Sequence, residues 1–191
     1  MAGGVGTRFW PKSRGRSPKQ FLEILSQGTM IENTLERVRP LVGQDDVFVV
    51  TNQQQVDLLR KLVPWIPSQH ILAEPLGRNT AACIGLAALW IERINPEGMM
   101  VVSPADHIVK NPEEFVRILR LALRVAEEKE ALVTIGIKPT HPETGYGYIQ
   151  NAEEEIDRNE YRAEGVYRVK TFAEKPNLET AERFLKSGDF L

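Results

Sequence analysis

Val47-Phe48-Val49-Val50-Thr51-Asn52-Gln53-Gln54-Gln55-Val56 is the stretch on which the fold turns. Residues 47–50 read as a short buried strand, and the polar residues after them give way to Val56, Leu59 and Val63, spaced for one face of a helix. Asn52 stands where a capping side chain would open that helix, and Pro64 closes it. The same alternation continues along the chain. Residues 70–73 are a second strand, followed by a nearly all-apolar helix over 80–94 expected to be deeply buried. Residues 99–103 are a third strand. Asn111, then Pro112, Glu113 and Glu114, supply a cap, a proline at the first helical position and acids facing the positive end of the helix dipole. Phe115, Leu119, Ala122 and Ala126 are the expected buried stripe of that helix, and residues 131–137 a fourth strand. Short apolar strands alternating with helices define an α/β fold: a Rossmann-like, mostly parallel sheet with helices on both faces.

Beyond Thr144 the pattern changes. Tyr146, Tyr148, Val166, Tyr167, Val169 and Phe172 sit among polar residues in extended-looking segments, which predicts a β-rich insertion with the acidic residues 153–160 as its exposed turn. Asn177 then caps a last helix running to Lys186 and closed by Gly188.

A chain of 191 residues, 42% hydrophobic, suits one sizeable core, so a single domain is expected. With 24 basic and 26 acidic residues the net charge is −2, and no whole-chain field draws it to nucleic acid or to an anionic membrane. The single cysteine, Cys83, lies in an apolar run and reads as a small core residue in a reducing compartment. No apolar run is long enough to span a bilayer, and the N-terminus is Gly-rich where a signal peptide would be hydrophobic. A cytoplasmic protein is expected.

The chemistry concentrates at the start. Residues 1–21 carry five basic side chains (Arg8, Lys12, Arg14, Arg16, Lys19) and no acid. Glycines let backbone N–H groups approach phosphate oxygens, and Arg8 and Lys19 add a fork-shaped and a point charge. The segment is not a Walker loop, because Gly6 is followed by Thr7-Arg8, nor a dinucleotide loop, which would want glycine at Phe9. A solvated basic arm is the bland alternative; Phe9, Trp10, Pro11 and Phe21 speak against it. Gly3 arrives after only Met1 and Ala2, so either the strand that would position the loop is missing or another element takes its place.

Gly3-Gly4-Val5-Gly6-Thr7-Arg8, with Trp10-Pro11, Ser13-Arg14 and Pro18-Lys19-Gln20-Phe21, resembles the signature loop of the mannose-1-phosphate guanylyltransferases, within the sugar-1-phosphate nucleotidyltransferase family. Later segments agree in order: Glu74-Pro75 with Arg78-Asn79-Thr80-Ala81, Ser103-Pro104-Ala105-Asp106-His107, Gly145-Tyr146-Gly147-Tyr148-Ile149, and Phe172-Ala173-Glu174-Lys175-Pro176. Thymidylyl- and uridylyltransferases share the glycine loop and the Glu-Lys-Pro element, but the Trp-Pro, Lys-Gln-Phe and Arg-Asn-Thr-Ala details are nearer the guanylyl branch.

The resemblance implies one nucleotidyltransferase catalytic domain, cut short at its C-terminal end, with a nucleotide-binding part over 1–140 and the start of a sugar-phosphate-binding part over 141–191. It implies transfer of GMP from GTP to mannose 1-phosphate, giving GDP-mannose and pyrophosphate. Ala2, Gly3, Gly4, Gly6, Thr7, Arg8, Lys19, Glu74, Pro75, Arg78, Asn79, Thr80, Ala105 and Asp106 would bind the nucleotide; Gly145, Tyr146, Gly147, Glu174 and Lys175 would line the sugar-phosphate pocket. Arg8, Lys19 and Asp106 would be catalytic. Asp106 would ligate Mg2+, a hard cation that accepts one or two carboxylates and completes its shell with phosphate oxygens and water. A turn-capping role is the alternative for Asp106, a helix cap for Asn79 or Thr80, and a solvated pair for Glu174-Lys175. His107 suits packing or hydrogen bonding better than magnesium. A binding module without turnover and a nucleotidyltransferase for another base are the rival functions. The sequence leaves the oligomeric state open, a homodimer included.

In open parallel sheets ligands bind beyond the carboxyl ends of the strands. The Glu74 and Asp106 segments both follow predicted strands, so they are expected on one edge.

Overall fold

Alternate side chains of a strand face opposite ways, and residues 49–52 use both directions. Strand β1 (Val49–Asn52) pairs in parallel with β2 (Ile71–Glu74), in the register Val49↔Ile71 to Asn52↔Glu74. The computed structural model describes residues 1–3, 18–23, 28–152 and 159–191. On one face of the pair, Val50 and Leu72 pack against Cys83 and Ala87 of helix α3 (Asn79–Ile94). On the other, Val49 and Ile71 join Val56 and Leu59 of α2 (Val56–Leu62), with Ile31 of α1 (Met30–Val38). Helices therefore cover both faces of a parallel pair, as the alternation predicted.

Several local expectations are corrected. Asn52 does not cap α2. A 3-10 turn over Gln53–Gln55 intervenes, and the Asn52 side chain instead donates to the Gly3 carbonyl at 3.3 Å. Helix α3 is not deeply buried: Leu89 is 63% and Trp90 40% exposed. Among its described side chains only Cys83 and Ala87 are buried, because they are one turn apart on the stripe that meets β1 and β2, and the two-stranded ladder is too narrow to cover more. Residues 99–103 do not form a ladder strand, and residues 131–137 do not either, with Leu132 and Ile137 exposed. β-propensity needs a neighbouring strand to become a strand.

Helix α1 opens with a capping box that the apolar pattern does not reveal. Thr29 Oγ1 accepts from the Glu32 N–H, and Glu32 Oε2 accepts from the Thr29 N–H at 2.7 Å. Helix α4 (Pro112–Lys129) starts as predicted, with the Asn111 side chain accepting from the Glu114 N–H at 3.1 Å. Its buried stripe is shifted: Val116, Leu119, Leu121 and Val125 are buried, while Phe115 is half-buried with the Arg37 guanidinium 5.6 Å above its ring.

The chain divides into two units, Met1–Val133 and Thr134–Leu191. The second is β-rich. Strand β3 (Gly147–Asn151) pairs antiparallel with β4 (Val169–Glu174), with a register slip at Gln150/Asn151. On its other edge the apolar tail adds a third row, Ile149 and Leu191 exchanging N–H to O bonds of 2.8 and 2.9 Å. Of the predicted acidic turn, residues 153–158 lie outside the described residues. Asn159–Ala163 form a short helix, α5. Val166 and Tyr167 precede β4 rather than forming a strand. Helix α6 (Leu178–Ser187), capped by Asn177 and ended by Gly188 in the left-handed conformation, lays Ala181 and Phe184 against Tyr148 and Phe190.

Candidate functional site

What positions the glycine segment is visible at its first residues. The Ala2 N–H donates to the Val50 carbonyl at 2.8 Å, and the Met1 carbonyl accepts from the Ala105 N–H at 3.1 Å. The Met1 amino group reaches the Ser103 carbonyl at 2.9 Å. Met1 and Ala2 thus sit between β1 and the 103–105 segment and bond to both. Residues 99–103 join this arrangement only at their end, which accounts for the absence of a longer third strand.

This pairing helps to bring six of the sequence-predicted residues of the first unit together. Gly3 follows Ala2 and lies against Glu74 at the end of β2: a Cβ placed on Gly3 would stand 3.2 Å from Glu74 Oε2. A side chain at this position would press on the buried carboxylate, which would have to shift by a few tenths of an ångström. Asp106 follows Ala105, and its Oδ2 forms an ion pair with Lys19 Nζ. Lys19 is placed by a 3-10 turn over Lys19–Phe21, in which the Phe21 N–H donates to the Pro18 carbonyl at 3.0 Å. Ala2, Gly3, Lys19, Glu74, Ala105 and Asp106 therefore share one edge, beyond the carboxyl ends of β1 and β2. Gly4, Gly6, Thr7 and Arg8 lie outside the described residues.

Pro75, Arg78, Asn79 and Thr80 are exposed at the start of α3. The capping expectation for Asn79 or Thr80 is corrected: Arg78 holds the cap position, and no side chain caps the first turn. Asn79 has φ +66. The left-handed conformation is one that asparagine tolerates better than most residues.

Burial pushes the Cys83 thiol pKa up, and the Glu74 carboxylate adds to the shift. The thiol is a buried core group, as its apolar neighbours in sequence suggested.

The residues of the second unit assemble through strand register. Gly147 stands opposite Glu174, and a Cβ on Gly147 would lie 3.0 Å from Glu174 Oε2. Glu174 pairs with Lys175 at 2.7 Å, both exposed, and Lys175 has φ +43. The loop before β3 is held by two bonds: the Gly145 N–H donates to Glu143 Oε1 at 2.8 Å, and the Glu143 N–H to Tyr148 Oη at 2.9 Å. Tyr146 is exposed. Sequence reasoning passed over Glu143, whose role rests on a bond to a backbone N–H that no motif announces.

Two carboxylates lie on this edge of the first unit, the buried Glu74 and the more open Asp106. Asp106 Oδ2 is paired with Lys19, and its Oδ1 lies 4.0 Å from His107 Nε2. Among the described residues no group of three or more His, Cys, Asp or Glu side chains gathers to hold an ion. An edge with so few carboxylates fits magnesium, which draws most of its ligands from phosphate and water, and does not fit a closed zinc site.

An α/β sheet with a glycine segment, a lysine and a carboxylate on one edge defines the class, and the comparisons agree with it. A family model described as nucleotidyl transferase matches residues 1–191, and the chain belongs to that family. It is 41% identical over 199 residues to mannose-1-phosphate guanylyltransferase from Escherichia coli, covering 100% of this chain and 41% of that protein. The alginate biosynthesis protein AlgA of Pseudomonas fluorescens is 38% identical over 192 residues, 100% of this chain and 38% of that protein. A crystal structure from Thermus thermophilus, described as mannose-1-phosphate geranyltransferase, superposes with TM-score 0.85 at 36% identity, over 100% of this chain and 52% of that one. The likeness extends to the fold. The chain spans about 40% of the length of the curated relatives it matches.

Among the described residues, no helix is long and apolar enough to cross a membrane.

Proposed function

We propose that this chain carries the nucleotide-binding, catalytic part of a mannose-1-phosphate guanylyltransferase. A phosphate oxygen of mannose 1-phosphate attacks the α-phosphorus of GTP. The new P–O bond forms as the bond from the α-phosphorus to the bridging oxygen breaks, and pyrophosphate leaves, giving GDP-mannose. The observation that supports this best is the gathering of Gly3, Lys19, Ala105 and Asp106 on one sheet edge by the pairing of Met1 and Ala2 with both neighbours.

Residues 1–140 serve the nucleotide. Gly3, Gly4, Gly6 and Thr7 bind the triphosphate, and Arg8 and Lys19 neutralise its charge in the transition state. Glu74, Pro75, Arg78, Asn79 and Thr80 take the guanosine end. Asp106 would hold Mg2+, which would supply Lewis-acid charge neutralisation at the phosphate oxygens. Residues 141–191 begin the sugar-phosphate side: Gly145 and Gly147 admit the sugar close to the backbone, Tyr146 borders it, Glu174 accepts from hydroxyls and Lys175 meets the phosphate. No covalent intermediate is required; catalysis comes from in-line positioning and charge neutralisation.

The reading places the protein in the cytoplasm, with GTP, mannose 1-phosphate and GDP-mannose as its partners and neither nucleic acid nor membrane among them. The test is magnesium-dependent pyrophosphate release over a matrix of nucleoside triphosphates and sugar 1-phosphates. GTP with mannose 1-phosphate is expected to dominate. Preference for UTP or dTTP overturns the guanylyl assignment. Tight GTP binding with no pyrophosphate release turns the reading to a binding module, an outcome made relevant by the share of its relatives that the chain spans.

A further inference from the structure

Three polar side chains that the proposed mechanism does not use are buried beside the start of the glycine segment: Gln20 is 2%, Thr51 0% and Gln55 4% exposed. Burying amides and a hydroxyl is costly unless each is hydrogen-bonded, and here they bond to one another and converge on the Ala2 carbonyl. Gln20 Nε2 donates to the Ala2 carbonyl and, at 3.0 Å, to Gln55 Oε1. Thr51 Oγ1 lies 3.3 Å from the Ala2 carbonyl and 3.2 Å from Gln55 Oε1. A hydroxyl has one hydrogen, so Thr51 shares it between these acceptors, while the Gln20 amide serves both at once.

We infer that Gln20, Thr51 and Gln55 form a clamp whose task is to aim the nucleotide-binding backbone. The inference rests on the proposed function and deepens it. In a trans peptide the carbonyl of one residue and the N–H of the next point opposite ways. Holding the Ala2 carbonyl against Gln20 and Thr51 turns the Gly3 N–H the opposite way, away from the clamp. Gln20 is also the chain neighbour of Lys19, so the amide that holds the Ala2 carbonyl is anchored beside the cation proposed for the triphosphate. The three side chains are positioning residues, acting through the Gly3 N–H and the Lys19 ammonium rather than by touching a substrate.

A clamp that merely held the fold together would change the folded fraction, lowering kcat while leaving both KM values alone. A clamp that aims the phosphate-binding backbone changes the interaction with GTP in particular. The experiment compares Gln20→Leu, Thr51→Val and Thr51→Ser with the wild type. Melting temperature, direct GTP binding in magnesium, and steady-state KM for each substrate are measured. Thr51→Val keeps the shape of threonine and tests the clamp even where Gln20→Leu fails to fold. Thr51→Val is expected to weaken GTP binding and raise KM for GTP by about tenfold, the equivalent of roughly 1.4 kcal/mol, with KM for mannose 1-phosphate unchanged. Thr51→Ser is expected to restore most of the loss. A folded Thr51→Val chain that binds GTP like the wild type overturns the clamp and leaves the proposed function standing. A wild-type chain that binds no nucleoside triphosphate overturns the proposed function and the clamp with it.

Discussion

Lys19 Nζ and Asp106 Oδ2 form an ion pair, with 23% and 25% of the two side chains exposed. The cation proposed for the triphosphate and the carboxylate proposed for the metal thus neutralise one another. A partly covered pair of this kind loses its balance when one member is removed. Lys19→Met is expected to lower turnover by about a hundredfold or more, the loss of roughly 3 kcal/mol of transition-state stabilisation, and Lys19→Arg to restore it incompletely, because a fork is not a point charge. The same Lys19→Met chain, freed of the competing ammonium, is expected to bind Mn2+ alone more tightly than the wild type. Pyrophosphate release checks the first outcome and electron paramagnetic resonance titration the second; unchanged turnover removes Lys19 from the mechanism.

Gly3 and Gly147 stand in the same relation to a carboxylate, Glu74 Oε2 at 3.2 Å and Glu174 Oε2 at 3.0 Å from the Cβ each glycine lacks. Neither has φ in the left-handed range, so the strain of an added methyl falls on the neighbouring carboxylate. Gly3→Ala is expected to raise KM for GTP and Gly147→Ala to raise KM for mannose 1-phosphate, each by about tenfold for a small misplacement, and each leaving the other substrate's KM nearly as it was. Initial-rate measurements with each substrate varied in turn separate the two. Crossed effects would contradict the assignment of nucleotide and sugar to different units.

The carboxyl of Glu143 is held below the ordinary glutamate range, chiefly by the hydrogen bond it accepts from the Gly145 N–H, with a smaller part from His141. A carboxyl whose folded-state pKa is depressed contributes its bond at neutral pH, above the unfolded-state value, and loses it as pH falls through the depressed value. The protection of the Gly145 amide, its exchange rate relative to the intrinsic rate at the same pH, is therefore expected to fall on acidification into the carboxylate range, and Glu143→Ala to show that loss of protection already at neutral pH. Amide hydrogen exchange of residues 143–148 follows both. A Gly145 amide whose protection is indifferent to pH and to Glu143→Ala would show that this bond does not hold the loop.

Helix caps offer a stability test in each unit. Thr29 caps α1 through a reciprocal box with Glu32, and Asn177 caps α6 by accepting from the Thr180 N–H at 2.9 Å. Thr29→Ala and Asn177→Ala are each expected to cost about 1 kcal/mol. Trp10, Trp65 and Trp90 are the chain's tryptophans, and all precede residue 134, where the second unit begins. Tryptophan fluorescence in urea therefore follows the Thr29→Ala loss, and circular dichroism the Asn177→Ala loss.

Where local chemistry decides, the sequence was sufficient. Asn111-Pro112 and Asn177 start helices because a short polar side chain next to a helix-forming run has its hydrogen-bond partner only a few residues away. Cys83 is buried as its place in an apolar run suggested, although that run did not distinguish it from apolar neighbours left exposed. The Pro-Lys-Gln-Phe and Ala-Asp motifs named Lys19 and Asp106 by type, and the order of the motifs named the family. What tertiary structure decided is which strands exist, how much of α3 is covered, and what meets at the site. Residues 99–103 and 131–137 have strand composition, but a ladder needs a partner, and partners are chosen in space. Met1 and Ala2 carry no strand signal, yet they lie between β1 and the 103–105 segment, because hydrogen-bonding groups on both sides fix them there. Gln20, Thr51 and Gln55 read as ordinary polar residues until folding encloses them around one carbonyl, since a buried hydrogen-bond network joins residues far apart in the chain and no sequence period records it.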